Sequence, residues 1–309
     1  MNMPSILVTG VAGFIGSHLA KRLLPYFTVI GVDNLQKGTL ENIPSSVVFI
    51  KDDLSSPSAL LTALRPYQPF DAVFHLAGQS SGERSFDYPS LDLSSNLLSS
   101  LTVIELVNSL KIPLVVNASS MSVYGDSQSL ATESLRPVPL SIYGHHKALA
   151  ESYFESLCQA RVVNIRMFNV YGPGQCLNDL KQGMVSIFLS MALKDRHIVV
   201  RGSLDRIRDF VYIDDVVSAW VRVLFLSQSL PQFITLNLGT GVPTSIRSLL
   251  ALLQQVLPFD FTVSQADSTP FDQANIYSDT SRFHHYFPDF SFTALSRGLR
   301  LFANHCIKL

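Results

Sequence analysis

The chain has 309 residues, of which 47% are hydrophobic, and its formal net charge at pH 7 is −1. This length suits one large domain, or one domain with a smaller lobe, around a sizeable core. The near balance of acids and bases argues against a nucleic-acid partner and an anionic membrane surface. Three widely spaced cysteines without CxxC spacing argue against a disulfide framework and a cysteine-based metal site. We therefore expect a cytoplasmic protein with no signal peptide, no transmembrane helix and no metal.

The first predicted element is a strand that leads through a glycine-rich turn into a helix. Residues 6–8 are β-branched or aliphatic, Gly10, Gly13 and Gly16 follow, and residues 17–24 have the apolar spacing of a helix. Glycines at these positions allow a tight turn and a close approach of the backbone to a pyrophosphate at the helix N-terminus. Because strand, turn and helix occur in this order, the pattern predicts a dinucleotide site.

The second predicted strand, residues 27–32, ends at Asp33. A carboxylate at the end of this strand is placed to bind the ribose hydroxyls of adenosine and would repel a 2′-phosphate. The sequence therefore favours NAD over NADP. A third strand at residues 47–50 precedes Asp53 and Leu54, which are expected to border the adenine.

The next two predicted strands deliver small and hydroxylated residues to one edge of the sheet. Residues 71–76 run into the small residues 77–78, and residues 113–118 run into the serines at 119–120, with a long helix at 93–110 between them. In open α/β sheets, ligands bind outside the carboxyl ends of the strands. We therefore expect the cofactor and the substrate to meet at this edge.

Tyr143 and Lys147 follow on a predicted helix. A separation of four residues places both side chains on one helix face. An ammonium beside a phenol favours the phenolate, so Lys147 is predicted to lower the pKa of Tyr143 and to make it a general acid/base. A hydroxyl from Ser120 is expected to bond the same substrate oxygen. The spacing also occurs on ordinary surface helices, and the dinucleotide pattern is what favours the catalytic interpretation.

A sixth strand at 162–168 completes an alternation of strands and helices. This alternation predicts an α/β fold with a doubly wound parallel sheet of the Rossmann type. We assign residues 1–169 to an NAD-binding domain and expect residues 209–257 to return to it. Residues 170–208 and 258–309 are predicted to form a smaller C-terminal substrate-binding lobe.

A series of short motifs occurs in a fixed order over nearly the whole chain. They are Thr9-Gly10-x-x-Gly13-x-x-Gly16, Asp33-Asn34-Leu35, Asp53-Leu54, His75-Leu76-Ala77-Gly78, Asn96, Ser119-Ser120-Met121-Ser122-Val123-Tyr124-Gly125, Tyr143-x-x-x-Lys147, Arg166-x-Phe168-Asn169-x-Tyr171-Gly172-Pro173 and Arg208-Asp209-Phe210-Val211-Tyr212-Ile213-Asp214-Asp215. Together they resemble the extended short-chain dehydrogenase/reductase family, in its nucleotide-sugar epimerase/dehydratase branch. Each motif is modest alone, and the ordered set is highly specific.

The resemblance implies a role for each matched residue. Tyr143 would be the catalytic base, Lys147 its partner and a ligand of the nicotinamide ribose, and Ser120 the hydroxyl that binds the sugar O4. Asn169 and Arg208 would grip the diphosphate of a nucleotide sugar, for which the planar arginine fork is well suited. The implied ligands of NAD are Gly10, Gly13, Phe14, Ile15, Gly16, Asp33, Asn34, Asp53, Leu54, Leu76, Ala77, Gly78, Asn96, Ser119, Tyr143, Lys147 and Phe168.

Residues 121 and 122 distinguish between the activities found in this branch of the family. Dehydratases and decarboxylases of this family usually carry a glutamate just before Val-Tyr-Gly, whereas Met121 and Ser122 stand here. The pattern resembles that of the 4-epimerases. The implied reaction is oxidation at C4 of a UDP-hexose or UDP-N-acetylhexosamine by NAD, rotation of the 4-keto sugar, and return of the hydride to its other face. The resemblance also implies a homodimer.

Alternatives stay open at this point: a dehydratase with an unusual acid, a 4-ketoreductase, or a non-catalytic NAD-binding protein of the same fold. The chain also departs from the family pattern. His146 stands where a small residue is usual, and Thr269 stands where an arginine often contacts the diphosphate. Ile276 falls near a position that gates N-acetyl sugars. Arg84 is expected to be a solvated charge rather than a substrate ligand.

Overall fold

The computed structural model describes residues 3–57, 59–126, 130–268 and 273–307. Its strands, in chain order, are β1 Ser5–Thr9, β2 Thr28–Asp33, β3 Val48–Lys51, β4 Phe70–His75, β5 Leu114–Ser120, β6 Leu130–Ala131, β7 Arg161–Met167, β8 Asn169–Tyr171, β9 His197–Arg201, β10 Ile207–Arg208, β11 Phe210–Tyr212, β12 Phe233–Leu238, β13 Thr244–Ser245, β14 Thr262–Ala266 and β15 Tyr277–Ser278.

Within the described ranges, seven of these strands form one parallel sheet in the order β12-β7-β5-β4-β1-β2-β3. The chain builds outward from β1 to β3, crosses back over the sheet, and continues from β4 to the opposite edge. The predicted doubly wound sheet of the Rossmann type is therefore confirmed. The strand order reverses between β1 and β4, and such a switch point opens a crevice for ligands at the carboxyl ends of the strands.

The helices are α1 Phe14–Leu23, α2 Leu60–Leu64, α3 Gly82–Asp87, α4 Pro89–Asp92, α5 Ser99–Leu110, α6 Ile142–Leu157, α7 Met184–Asp195, α8 Ile213–Leu226, α9 Ile246–Val256, α10 Ser281–Tyr286 and α11 Leu295–Ile307. They cover both faces of the sheet because the strands bury apolar side chains on both sides. Ile6 and Val8 belong to the core cluster that includes α1 and α8, whereas Leu7 belongs to the cluster that includes α2, α5 and α6.

The long helix predicted at residues 93–110 has two parts. Leu93–Leu98 forms a π-helical turn, and α5 begins at Ser99. A π-helical turn widens the backbone locally and is frequent at functional sites. This turn carries Asn96, which is fully buried, and it brings the side chain to the edge of the switch-point crevice.

Candidate active site

The glycine-rich turn connects β1 to α1 at the switch point. Gly10 has a φ of +71°, a backbone conformation that favours glycine. A Cβ on Gly16 would lie 2.1 Å from the carbonyl oxygen of Gly10, so only glycine allows the helix to pack this closely against the turn. Because α1 starts at Phe14, the N–H groups of Phe14 and Ile15 lie in its first turn, where no intrahelical acceptor is available. The turn thus has the form of an anion cradle.

Asp33 lies at the end of β2, beside this turn. Its Oδ2 accepts a hydrogen bond from the N–H of Ala12 at 3.0 Å, and its Oδ1 accepts one from the N–H of Leu35 at 2.8 Å. These bonds fix the carboxylate while leaving each oxygen able to accept a further hydroxyl. Asn34 donates to Asp53 Oδ2 at 3.1 Å, which ties the end of β2 to the loop after β3.

A cavity of about 200 Å³ runs along these elements. The sequence-predicted residues that line it are Gly10, Gly13, Asp33, Asn34, Asp53, Leu54, Leu76, Ala77 and Gly78. Residues that the sequence reasoning missed also line it, among them Lys37 and Ser95. The cavity follows the course that the dinucleotide prediction requires, from the glycine-rich turn past the ribose carboxylate to the end of β4.

Thr9 fixes the segment after β4 by hydrogen bonds. The Thr9 hydroxyl donates to Nδ1 of the buried His75, at 2.9 Å, because its oxygen already accepts from the N–H groups of Leu76 and Ala77, at 3.2 and 3.3 Å. Burial lowers the pKa of His75 to about 3, and the charge of Lys147 contributes to the shift. His75 is therefore a neutral structural residue at the strand end.

Tyr143 and Lys147 lie on the first turns of α6. Ser141 caps this helix by accepting a hydrogen bond from the N–H of Gly144 at 3.0 Å. The two side chains are only 7% and 6% exposed, and the Lys147 ammonium lies 5.8 Å from the centre of the Tyr143 ring. Ser120 ends β5, and its hydroxyl lies close enough to Tyr143 to lower the pKa of the phenol. The structure thus brings together the three predicted catalytic residues.

The electrostatics of this pair differ from the sequence prediction. Burial raises the pKa of Tyr143 to about 12, although the Ser120 hydroxyl acts in the opposite direction. Burial also lowers the pKa of Lys147 to about 8, against the attraction of Asp92 and Glu151. The prediction that Lys147 brings the pKa of Tyr143 towards neutrality is therefore wrong for the protein's own side chains, because burial raises this pKa and the charge of Asp92 adds to the rise.

Two buried carboxylates that the sequence reasoning missed support α6. Asp92 accepts a hydrogen bond from His146 at 2.6 Å, so the unusual histidine has an acidic partner. Glu151 forms a two-pronged ion pair with Arg166, with distances of 2.9 and 2.6 Å. Ser119 also donates to Glu151. For Asp92, the sequence contained one signal, namely the spacing of four residues that separates it from Asn96.

The residues predicted to grip a diphosphate are engaged by the backbone. Asn169 donates to the carbonyl oxygen of Asp209 at 2.8 Å, and Arg208 donates to the carbonyl oxygen of Ile207 at 2.7 Å. Burial lowers the pKa of Arg208 to about 9, and the charge of Arg206 adds to the shift. Their predicted contacts with a diphosphate remain proposals.

The remaining residues singled out from the sequence fall into different environments. Phe168 and Ile276 are buried in one small apolar cluster near β5. Arg84 contacts Asp179 at 3.3 Å with 22% of its side chain exposed, so it is a paired charge rather than a freely solvated one. Thr269 lies outside the described residues. Among the residues that the structure describes, no group of three or more metal-ligating side chains occurs.

The fold and the site define a dinucleotide-binding protein with a serine, tyrosine and lysine at the end of its cofactor crevice. A family model described as the NAD dependent epimerase/dehydratase family matches residues 6–239, and the chain belongs to this family. The resemblance predicted from the ordered motifs is confirmed.

Relatives and solved structures point the same way. The UDP-glucose 4-epimerase of Mycolicibacterium smegmatis is 36% identical over 256 residues, which cover 79% of each chain. The structure of the Thermus thermophilus UDP-glucose 4-epimerase in complex with NAD matches with a TM-score of 0.88 at 31% identity, covering 97% of this chain and 98% of that one. The structure of the UDP-N-acetylglucosamine 4-epimerase from Methanobrevibacter ruminantium, in complex with UDP-N-acetylmuramic acid, matches with a TM-score of 0.90 at 28% identity. The match covers 100% of this chain and 99% of that one.

No helix in the described ranges is both long and apolar enough to cross a membrane.

Proposed function

We propose that the protein is an NAD-dependent 4-epimerase of UDP-sugars. The observation that carries this proposal is the buried Tyr143–Lys147 pair beside Ser120, at the end of the cavity lined by the glycine-rich turn and Asp33. Met121 and Ser122 occupy the positions where a dehydratase of this family usually carries its acid. The named relatives that act on UDP-sugars support the substrate class.

Each group at the centre has a proposed task. NAD, when bound, would supply the hydride acceptor for C4 of the sugar and, in its reduced form, the donor to the other face. Tyr143 takes the O4 proton in the first half-reaction and gives it back in the second, while Ser120 holds the same oxygen. Burial raises the pKa of Tyr143 to about 12, so a cation beside the phenol would favour the loss of its proton. The Lys147 ammonium, 5.8 Å from the centre of the ring, is one such cation, and the oxidised nicotinamide would supply a second when bound.

The cofactor contacts follow from the cavity. We propose that the first turn of α1, with Gly10, Gly13, Phe14, Ile15 and Gly16, holds the pyrophosphate. Asp33 holds the adenosine ribose, and the loop after β3 borders the adenine. Lys147 holds the second ribose, beside Asn96 and Gly78. We also propose the division into an NAD-binding part, residues 1–169 with 209–257, and a substrate-binding lobe, residues 170–208 and 258–309.

We propose a homodimer formed through the faces of α5 and α6 that point away from the sheet. Leu149 and Leu157 on α6 are 44% and 51% exposed, and Leu98 just before α5 is 41% exposed. Leucines left open on neighbouring helices are typical of an interface between subunits. We further propose a cytoplasmic location, which the free thiols of Cys158, Cys176 and Cys306 favour.

The test is incubation of the purified protein with UDP-glucose, UDP-galactose and their N-acetyl forms, without added cofactor. We expect one pair to interconvert with unchanged mass. Tyr143→Phe removes the acid/base and should lower the rate at least about 100-fold, whereas Tyr26→Phe, at an exposed tyrosine, should leave it unchanged. Loss of water would identify a dehydratase and consumption of NADPH a ketoreductase. No reaction with any of these sugars would refute the proposal.

A further inference from the structure

Asp92 is a carboxylate with no exposure to solvent, at the C-terminus of α4. A buried carboxylate requires hydrogen-bond donors on both oxygens, because desolvation of an unpaired charge is expensive. Its Oδ1 accepts from Gln79 Nε2 at 2.6 Å and from Asn96 Nδ2 at 3.0 Å. Its Oδ2 accepts from His146 Nδ1 at 2.6 Å. Asp92 also favours the charged form of Lys147, which lies on the same helix as His146.

His146 holds the second oxygen of this carboxylate. Among the residues that the structure describes, His146 alone forms a hydrogen bond with Oδ2 of Asp92. Because an ionised carboxylate only accepts, the Nδ1 atom of His146 must carry the hydrogen. The adjacent His145, by contrast, is exposed on the same helix. The two histidines therefore differ in what they touch although they are neighbours in sequence.

Asn96 transmits the orientation of Asp92 to the cavity. Its Nδ2 must face the carboxylate, so its Oδ1 faces the other way. This Oδ1 is buried and has no hydrogen-bond partner among the described residues. It would lie 2.5 Å from a Cβ on Gly78, a position that is also 3.4 Å from the Lys147 ammonium. An unpaired acceptor thus points to the place where Gly78 lines the dinucleotide cavity.

We infer that His146 is a positioning residue: through Asp92 it holds the Asn96 amide so that its oxygen faces Lys147 and the dinucleotide cavity. The oxygen then accepts a hydrogen bond from a hydroxyl of the bound dinucleotide. The inference rests on the proposed function for the identity of that ligand. The amide is held by one charged acceptor, and without His146 this acceptor has an unpaired oxygen that can turn and draw the amide away from the cavity.

The test measures the dissociation constant of NADH by fluorescence titration, together with the NAD retained after dialysis. His146→Ala should weaken NADH binding about 10-fold, the size expected for the loss of one hydrogen bond to a charged group. His146→Asn places an amide N–H where Nδ1 stands and should bind within about twofold of the parent. His146→Gln reaches one bond too far and should resemble His146→Ala. His145→Ala is the matched control and should have no effect.

A double-mutant cycle tests whether His146 acts on NADH affinity through Asn96. If His146 acts through Asn96, His146→Ala should add no further loss of NADH affinity to an Asn96→Ala variant. Full additivity, or NADH affinity unchanged in His146→Ala, would overturn the inference. Should His146→Ala fail to fold, the contrast between His146→Asn and His146→Gln decides the question in its place. Rescue by asparagine without turnover of any UDP-sugar would support the inference while refuting the proposed function.

Discussion

The ion pair between Glu151 and Arg166 gives the sharpest prediction about stability. Glu151 lies one turn after Lys147 on α6, and Arg166 lies on β7. Their side chains are 8% and 5% exposed, and two hydrogen bonds of 2.9 and 2.6 Å join them. Ser119 at the end of β5 donates to the same carboxylate. Replacing Glu151 by alanine would therefore loosen α6 from two strands of the sheet.

The magnitude follows from charge separation and burial. Two unit charges about 4 Å apart attract by about 4 kcal/mol at an effective dielectric constant of about 20. Removing one partner of a buried pair costs about 3–5 kcal/mol, because the other ion stays buried without its counter-charge. We expect Glu151→Ala to lower the free energy of unfolding by about 4 kcal/mol. Replacing both residues by apolar ones should recover much of this loss, since no unpaired ion remains.

The assay is urea unfolding of the parent, Glu151→Ala, Glu151→Leu/Arg166→Met and the control Glu155→Ala. Glu155 is exposed one turn further along α6, so its substitution should change the stability by less than about 0.5 kcal/mol. A Glu151→Ala variant that is destabilised by no more than the Glu155→Ala control would refute the reasoning. So would a double variant that is no more stable than Glu151→Ala.

Three further predictions concern the cofactor site. Asp33→Asn removes the charge that repels a 2′-phosphate, so the preference for NADH over NADPH should shrink about 10-fold in fluorescence titrations; an unchanged ratio would contradict the assignment. Gly16→Ala forces a Cβ to within 2.1 Å of the Gly10 carbonyl oxygen and should destabilise the protein by about 3 kcal/mol in urea unfolding; parent-like stability would contradict the packing. Burial lowers the folded-state pKa of Lys147 from 10.5 to about 8, so between these pH values the unfolded chain binds more protons and the stability rises with pH. From about pH 8 to about pH 9, where Tyr143 is still protonated in both states, the parent should gain about 1 kcal/mol over Lys147→Met; a constant difference would contradict the shift.

Local patterns were enough to predict the sheet and the cofactor cavity. The glycine-rich turn and Asp33 each follow a buried strand directly, and the ends of parallel strands meet at one edge of a sheet. The ordered motifs were enough to predict the family. These features could be predicted because strand ends and turns depend mainly on residues that are neighbours in the sequence.

The surroundings of the side chains could not be predicted in the same way. The direction of the Tyr143 pKa depends on how completely the phenol is buried, and the sequence does not state burial. The pair of His146 and Asp92 joins residues 54 positions apart. The contact of Arg84 with Asp179 joins residues 95 positions apart. Such partners are chosen by tertiary packing rather than by spacing along one helix.

The most direct test of the central claim follows the hydrogen at C4. A UDP-sugar that carries deuterium at C4 is incubated with the purified protein in ordinary water, and the epimer is recovered and examined by mass spectrometry and NMR. Because the hydride leaves C4 for the bound cofactor and returns to the same carbon, we predict an epimer of unchanged mass with deuterium retained at C4. Loss of the deuterium to solvent, or a product lighter by one water molecule, would contradict the account.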